Sequence, residues 1–159
     1  MLYLDSSALI KHYIKERGTD AIESKFREEE KYQRTAFTSV IAYAEVQAAF
    51  ARRRRDRLLS FAETSRVQDE FVSDWAVTLN QVELGAGVLL FIRGLVEEFP
   101  LRGFDAIHLA SALWLRDALR IGRNLAQASN TLEFVSSDRQ LNKAASQLGM
   151  EIFDSEKES

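Results

Sequence analysis

The sequence predicts an α/β protein, three layers deep, with helices on both faces of a largely parallel central sheet. Three observations carry this. Short apolar runs alternate with longer segments of helical period, the pattern that βαβ units leave. Acids directly follow two of those runs, at Asp5 and Asp138, where open parallel sheets place their sites. The length, 159 residues with 46% apolar, suits a single domain over 1–159 with its own core.

The elements follow in order. Met1 to Leu4 is an apolar run consistent with a buried strand, and Asp5-Ser6-Ser7 supplies helix-capping residues before Ala8-Leu9-Ile10. A second helix is expected from Asp20 to Lys31, with Ala21, Ile22 and Phe26 inward. Thr35 to Thr38 reads as a strand, and Ser39 as the cap of a helix running into Arg52 to Arg55. Asp56 to Trp75 is helical in character, with room for one break. Ala76 to Leu79 is the candidate third strand, followed by a helix from Gln81 to Phe99 that Gly85, Gly87 and Gly94 weaken. Pro100 and Gly103 punctuate before a helix that carries Asp105 and runs to about Leu119. Gly122 to Thr131 is a polar loop, Leu132 to Ser136 a strand, Arg139 to Leu148 a helix closed by Gly149, and Met150 to Phe153 a last strand.

Composition excludes several classes of function. There is no cysteine, so disulfides, zinc–thiolate sites and thiol nucleophiles are absent. No apolar run approaches the roughly 20 residues that span a bilayer. Asp5, Lys11 and His12 interrupt the start where a secretory core would lie, so a cytoplasmic protein is expected. The net charge of −3 argues against a protein that simply coats nucleic acid, which needs clustered Lys and Arg. Locally, Arg52-Arg53-Arg54-Arg55 with Arg57 is a dense basic block, and Glu28-Glu29-Glu30 a short acidic one. The block is a candidate for binding phosphates or an acidic partner, against a solvated helix face as the ordinary reading.

Four acids stand out as one candidate site: Asp5, Glu45, Asp105 and Asp138. Asp105 opens an apolar stretch. Glu45 lies on a helix face with Ile41, Ala42, Ala48 and Ala49, whose small side chains allow close approach to the sheet. An acid on an inward face is rarely buried without a partner. Carboxylates gathered in a nearly dry cleft raise one another's pKa, and hard divalent cations relieve that repulsion through oxygen ligands. This points to Mg²⁺, or Mn²⁺, and to metal-assisted phosphodiester chemistry. Taken singly, Asp5 and Asp138 are equally good helix caps. His12 and His108 read first as structural, because a metal-activated water needs no histidine. Glu16, Glu23, Asp56, Asp69, Glu70, Asp74, Glu97 and Glu98 read as solvated. Phe50, Phe61, Phe71, Trp75, Phe91 and Trp114 read as core or a partner-binding face.

Leu4-Asp5-Ser6-Ser7-Ala8-Leu9, the Ser39-to-Glu45 helix start, Gly103-Phe104-Asp105-Ala106-Ile107-His108-Leu109-Ala110 and Ser137-Asp138-Arg139-Gln140-Leu141 together resemble the PIN domain. More narrowly they resemble its toxin branch in bacteria and archaea, the VapC-type endoribonucleases. The resemblance spans essentially the whole chain. It implies a PIN-like, Rossmann-type fold and an Mg²⁺- or Mn²⁺-dependent endoribonuclease that leaves a 5′-phosphate and a 3′-hydroxyl. The metal would be held by Asp5, Glu45, Asp105 and Asp138, with Ser7 in support. It also implies a cognate small antitoxin and a homodimer. One departure is visible: many members end in Thr-x-Asn-x-x-Asp, where this chain has Ser136, Asp138 and Leu141. A haloacid dehalogenase-type phosphotransferase would want an acid at Ser7, and a phospho-receiver an aspartate where Asn80 stands. A housekeeping PIN nuclease and a catalytically silent PIN-like scaffold are the remaining alternatives.

Overall fold

A computed structural model describes residues 1–31, 35–121 and 131–157. Its elements are β1 (Leu2–Leu4), α1 (Ser6–Tyr13), α2 (Thr19–Lys31), β2 (Ala36–Ser39), α3 (Ala42–Arg55), α4 (Phe61–Val77), β3 (Leu79–Val82), α5 (Ala86–Glu98), α6 (Gly103–Ile121), β4 (Glu133–Ser136), α7 (Arg139–Gln147) and β5 (Glu151–Asp154). The strands form one five-stranded sheet in the order β3-β2-β1-β4-β5, and every pairing is parallel. Parallel neighbours need crossovers, and helices supply them on both faces.

Alternation along β1 sorts the core into two halves. Leu2 and Leu4 face α1, α2, α3 and α4, where Leu9, Ile22, Val46, Phe50, Val67 and Phe71 are buried. Tyr3 faces the opposite side, with Leu95, Leu109, Leu113, Phe134 and Leu141 from α5, α6, β4 and α7. Each fully buried side chain of this size contributes about 1.5–3 kcal/mol by leaving water. Because β1 and β4 are central and parallel, the residues after Leu4 and Ser136 emerge side by side at one edge, with Leu4 in register with Val135.

Several sequence expectations need correction. The third strand is Leu79–Val82, not Ala76–Leu79. Helix α4 starts from a capping box at Ser60 and Glu63 and continues through Val77, so the apolar Ala76-Val77 belongs to its exposed end. Gln81 and Val82 therefore belong to the sheet, paired with Thr38 and Ser39, and α5 begins only at Ala86. Ser39 is not a helix cap. It ends β2, fully buried, and α3 starts from Ile41 with no side-chain cap. On α3 the buried face is Ala42, Val46, Ala49 and Phe50, while Ala48 is exposed and Glu45 lies on the flank. Three acids read as solvated are half-buried and partnered, Glu16 with Lys11 and Arg53, Glu23 with His12, and Asp74 with the Tyr13 hydroxyl, while Glu70 and Glu97 pair with Arg66 and Arg93 on exposed faces. Phe61 is 75% exposed and is not core. Residues 56–60 are the connection between α3 and α4 and not helix, and α4 runs unbroken, whereas the closure of α7 at Gly149, with φ of +73°, agrees with the sequence. The Gly122–Thr131 loop lies outside the described residues except for Thr131, and the side chains of Glu29 and Glu30 do too. No helix among the described residues is long and apolar enough to cross a membrane.

Candidate active site

Asp5 leaves β1 and caps α1, its carboxylate accepting the Ala8 amide at 2.9 Å. Two hydroxyls fix the same group. Ser7 Oγ donates to Oδ1 at 2.7 Å, and Ser136 Oγ, from the end of β4, donates to Oδ2 at 2.6 Å. Ser7 is itself held by the Ser137 amide, and Ser136 accepts from the Asp138 amide, so β1, α1 and the β4–α7 turn are stitched around one carboxylate. Burial pushes the Asp5 carboxyl above its ordinary range, against the pull of His108 and these donors.

Asp138 follows β4 and caps α7, with Oδ1 accepting the amides of Gln140 and Leu141, each at 2.8 Å. Leu141, where the longer family pattern carries an acid, is buried in the core. Asp105 lies in the first turn of α6. Its carboxyl is also pushed upward, first by burial, then by the negative charges of Asp138 and Asp5, while the Arg102 amide acts against this. Asp105 thus feels the charges of two acids from other elements at the carboxyl edge of the sheet.

Glu45 reaches the same edge from α3 by a different support. Its Oε2 accepts from Ser6 Oγ at 2.6 Å and from His108 Nε2 at 2.8 Å. Burial alone would raise this carboxyl, but the His108 and Ser6 contacts outweigh it and hold the group below its ordinary value. His108 also acts on Asp5 and Asp105, so one imidazole faces three of the four acids.

The donor set is all oxygen, which suits Mg²⁺ or Mn²⁺ rather than thiophilic metals. Mutual repulsion on Asp105 is the strain that such a cation relieves. On donor chemistry the residues fit a divalent ion. Among the described residues, however, no three His, Asp or Glu side chains form a ready-made ligand group. Asp138 is turned onto its helix amides and Glu45 onto His108. The sequence marks Ser136 only through the family pattern it matches, reads His108 as structural, and does not mark Ser6 or Tyr3 as parts of the site. The available signal was spacing: His108 follows Asp105 by three residues, and Ser6 adjoins Asp5.

A parallel α/β sheet with convergent carboxylates at its carboxyl edge is the arrangement of a PIN domain, and the PIN-domain family model matches residues 2–146. The chain is 34% identical over 117 residues to ribonuclease VapC45 of Mycobacterium tuberculosis strain CDC 1551 / Oshkosh, covering 74% of this chain and 78% of the relative. Ribonuclease VapC49 of strain H37Rv matches to the same extent. The chain belongs to the PIN-domain family, in its VapC ribonuclease branch. The fold matches VapBC2 of Rickettsia felis, solved bound to a DNA fragment from its promoter, with TM-score 0.66 at 16% identity, covering 97% of this chain and 100% of that one. It also matches FitAcB of Neisseria gonorrhoeae, with TM-score 0.61 at 14% identity over 98% of both chains.

Proposed function

We propose that this protein is a divalent-metal-dependent endoribonuclease, the toxin of a toxin–antitoxin module, working as one domain over 1–159. The observation that carries the chemistry is that Asp105 feels the charges of Asp138 and Asp5, with Glu45 held by the same His108 that acts on both Asp5 and Asp105. Membership of the VapC ribonuclease branch carries the substrate class.

Asp5 and Asp105 are assigned as direct ligands of Mg²⁺ or Mn²⁺, Glu45 as a ligand or the group that orients the attacking water, and Asp138 as a support acting partly through water. The ion supplies Lewis acidity and an activated water when bound. The protein's own part is positional. Ser7, Ser136 and the Ala8 amide hold Asp5 in one rotamer, so its oxygens need no reorganisation on binding. Water adds to phosphorus in line as the bond to O3′ breaks, leaving a 3′-hydroxyl and a 5′-phosphate. In the cell the activity is held by a small antitoxin, and two copies of the chain associate as a homodimer.

The test is direct. Purified protein incubated with single-stranded RNA cleaves it with Mg²⁺ or Mn²⁺ and stops on adding EDTA. Cleavage undiminished in EDTA, in a preparation whose Asp5→Asn counterpart is inert, refutes metal dependence. Sedimentation equilibrium at micromolar protein reports the dimer.

A further inference from the structure

One buried hydrogen-bond chain ends on the site without belonging to its acids. His108 Nδ1 lies 3.2 Å from the Tyr3 hydroxyl, and its Nε2 lies 2.8 Å from Glu45 Oε2 and 3.1 Å from Ser6 Oγ. His108 is 2% exposed, and Tyr3 is fully buried with the Ser39 and Ser111 hydroxyls beside it. A carboxylate only accepts, so Nε2 carries the proton toward Glu45 in either charge state of the ring. In the neutral ring Nδ1 is then an acceptor, and Tyr3 is its donor. Burial keeps the Tyr3 phenol protonated far beyond neutral pH. Glu45, which can only accept, therefore selects the tautomer, and Tyr3 completes it by donating to Nδ1, as outer partners of site residues commonly do.

The bonds to Glu45 are one-sided. Ser6 and His108 both take Oε2, and neither takes Oε1. This fixes the carboxylate from behind. Glu45 needs such a fixture more than Asp5 or Asp138 does. Asp5 and Asp138 each accept backbone amides, whereas Glu45 extends from a helix flank on a longer side chain.

We propose that His108, backed by the Tyr3 hydroxyl, is a positioning residue that orients Glu45 toward the divalent cation; the inference rests on the nuclease reading above. Its role is separable from mere core filling because only one ring nitrogen meets the acid. Glutamine at 108 can bring an amide N–H near the position of Nε2. Asparagine, being shorter, reaches only the position of Nδ1.

Mn²⁺ affinity is measured by calorimetry on the full chain, and steady-state cleavage on a single-stranded RNA. His108→Leu weakens Mn²⁺ binding about 10- to 100-fold and lowers kcat by a similar factor with KM for RNA nearly unchanged. His108→Gln recovers most of both losses, His108→Asn does not, and Tyr3→Phe falls between. Folded His108→Leu with wild-type Mn²⁺ affinity and kcat overturns the proposal, as does a loss confined to KM. Should His108→Leu fail to fold, the Gln and Asn variants decide, and equal behaviour of the two overturns it. Wild-type protein that neither binds Mn²⁺ nor cleaves RNA overturns the nuclease reading itself, an outcome separate from any difference among variants.

Discussion

Asp5 accepts hydrogen bonds from Ser7, Ser136 and the Ala8 amide, yet burial still holds its carboxyl above the ordinary value. The sign of the consequence follows. A raised folded-state pKa means the fold favours the neutral acid, so the stabilising contribution is complete below about pH 3.8 and is lost as pH rises through the raised value. Asp105 has the same sign. Metal-free protein at pH 7 therefore carries strain that Asp5→Asn or Asp105→Asn removes. Each variant should melt higher than metal-free wild type at pH 7, and the gap should close as the pH falls toward 4, read from thermal melts across that range. The same variants should lose at least about a hundredfold in cleavage, and Mn²⁺ should no longer raise their melting temperature. Asp138→Asn should be milder in both assays, since asparagine caps the amides of Gln140 and Leu141 equally well. A fully active Asp5→Asn protein would remove Asp5 from the assignment. The residue types were legible because an acid after an apolar run is local information. The support of Glu45 was not, because Ser6 and His108 meet it, and Tyr3 meets His108, only after β1, α1, α3 and α6 have packed.

Helix α5 shows what element-level reading can and cannot see. The sequence marks Gly85, Gly87 and Gly94 alike as weak points, but the fold gives them different roles. Gly85 precedes the helix as its N-cap. A Cβ on Gly87 would lie 2.3 Å from Trp114 Nε1, so the missing side chain lets α5 close onto α6. A Cβ on Gly94 would meet nothing within 4 Å. Gly87→Ala should accordingly destabilise the protein by about 1–3 kcal/mol through overpacking against a bulky indole. Gly94→Ala should stabilise it by about 0.5–1 kcal/mol, since alanine loses less backbone entropy in a helix. Urea unfolding of the pair checks both, and equal shifts would contradict the close approach. The same limit explains the misplaced third strand. Ala76-Val77-Thr78-Leu79 has strand-like composition, but which residues pair with β2 depends on where α4 lets the chain turn back. The capping box at Ser60 fixes where α4 begins, and the helix then runs seventeen residues to Val77 before the chain turns back at Thr78. Ser39 failed as a cap for a related reason: its place in β2, in register with Val82, takes precedence over its capping propensity.

At the scale of the whole molecule, a ribonuclease poised at one open edge needs restraint, and the surface offers features for it. The basic block closes α3. Arg53 is tied to Glu16, while Arg52, Arg54 and Arg55 are exposed, with Arg54 over the exposed Phe61 ring at 6.0 Å. Leu58, 71% exposed in the connection between α3 and α4, and Tyr43, 39% exposed at the start of α3, add apolar area. Phe50, read as core or a partner-binding face, is fully buried and serves the core. A short partner that folds on binding can bury the apolar positions while its acids meet the arginines, which makes encounter fast and salt-sensitive. Expression of this chain alone should therefore arrest growth, Asp5→Asn should not, and co-expression of the adjacent small gene should restore growth through a complex that co-purifies. Replacing Arg54 and Arg55 by glutamate should slow association with that partner and flatten its salt dependence without lowering RNA cleavage, since neither side chain belongs to the acidic cleft. Healthy growth under strong expression of folded, RNA-cleaving wild-type protein would remove the toxin role and leave a housekeeping nuclease. Association unchanged by the double arginine replacement would move the partner's docking away from α3 and leave the block as a solvated helix end.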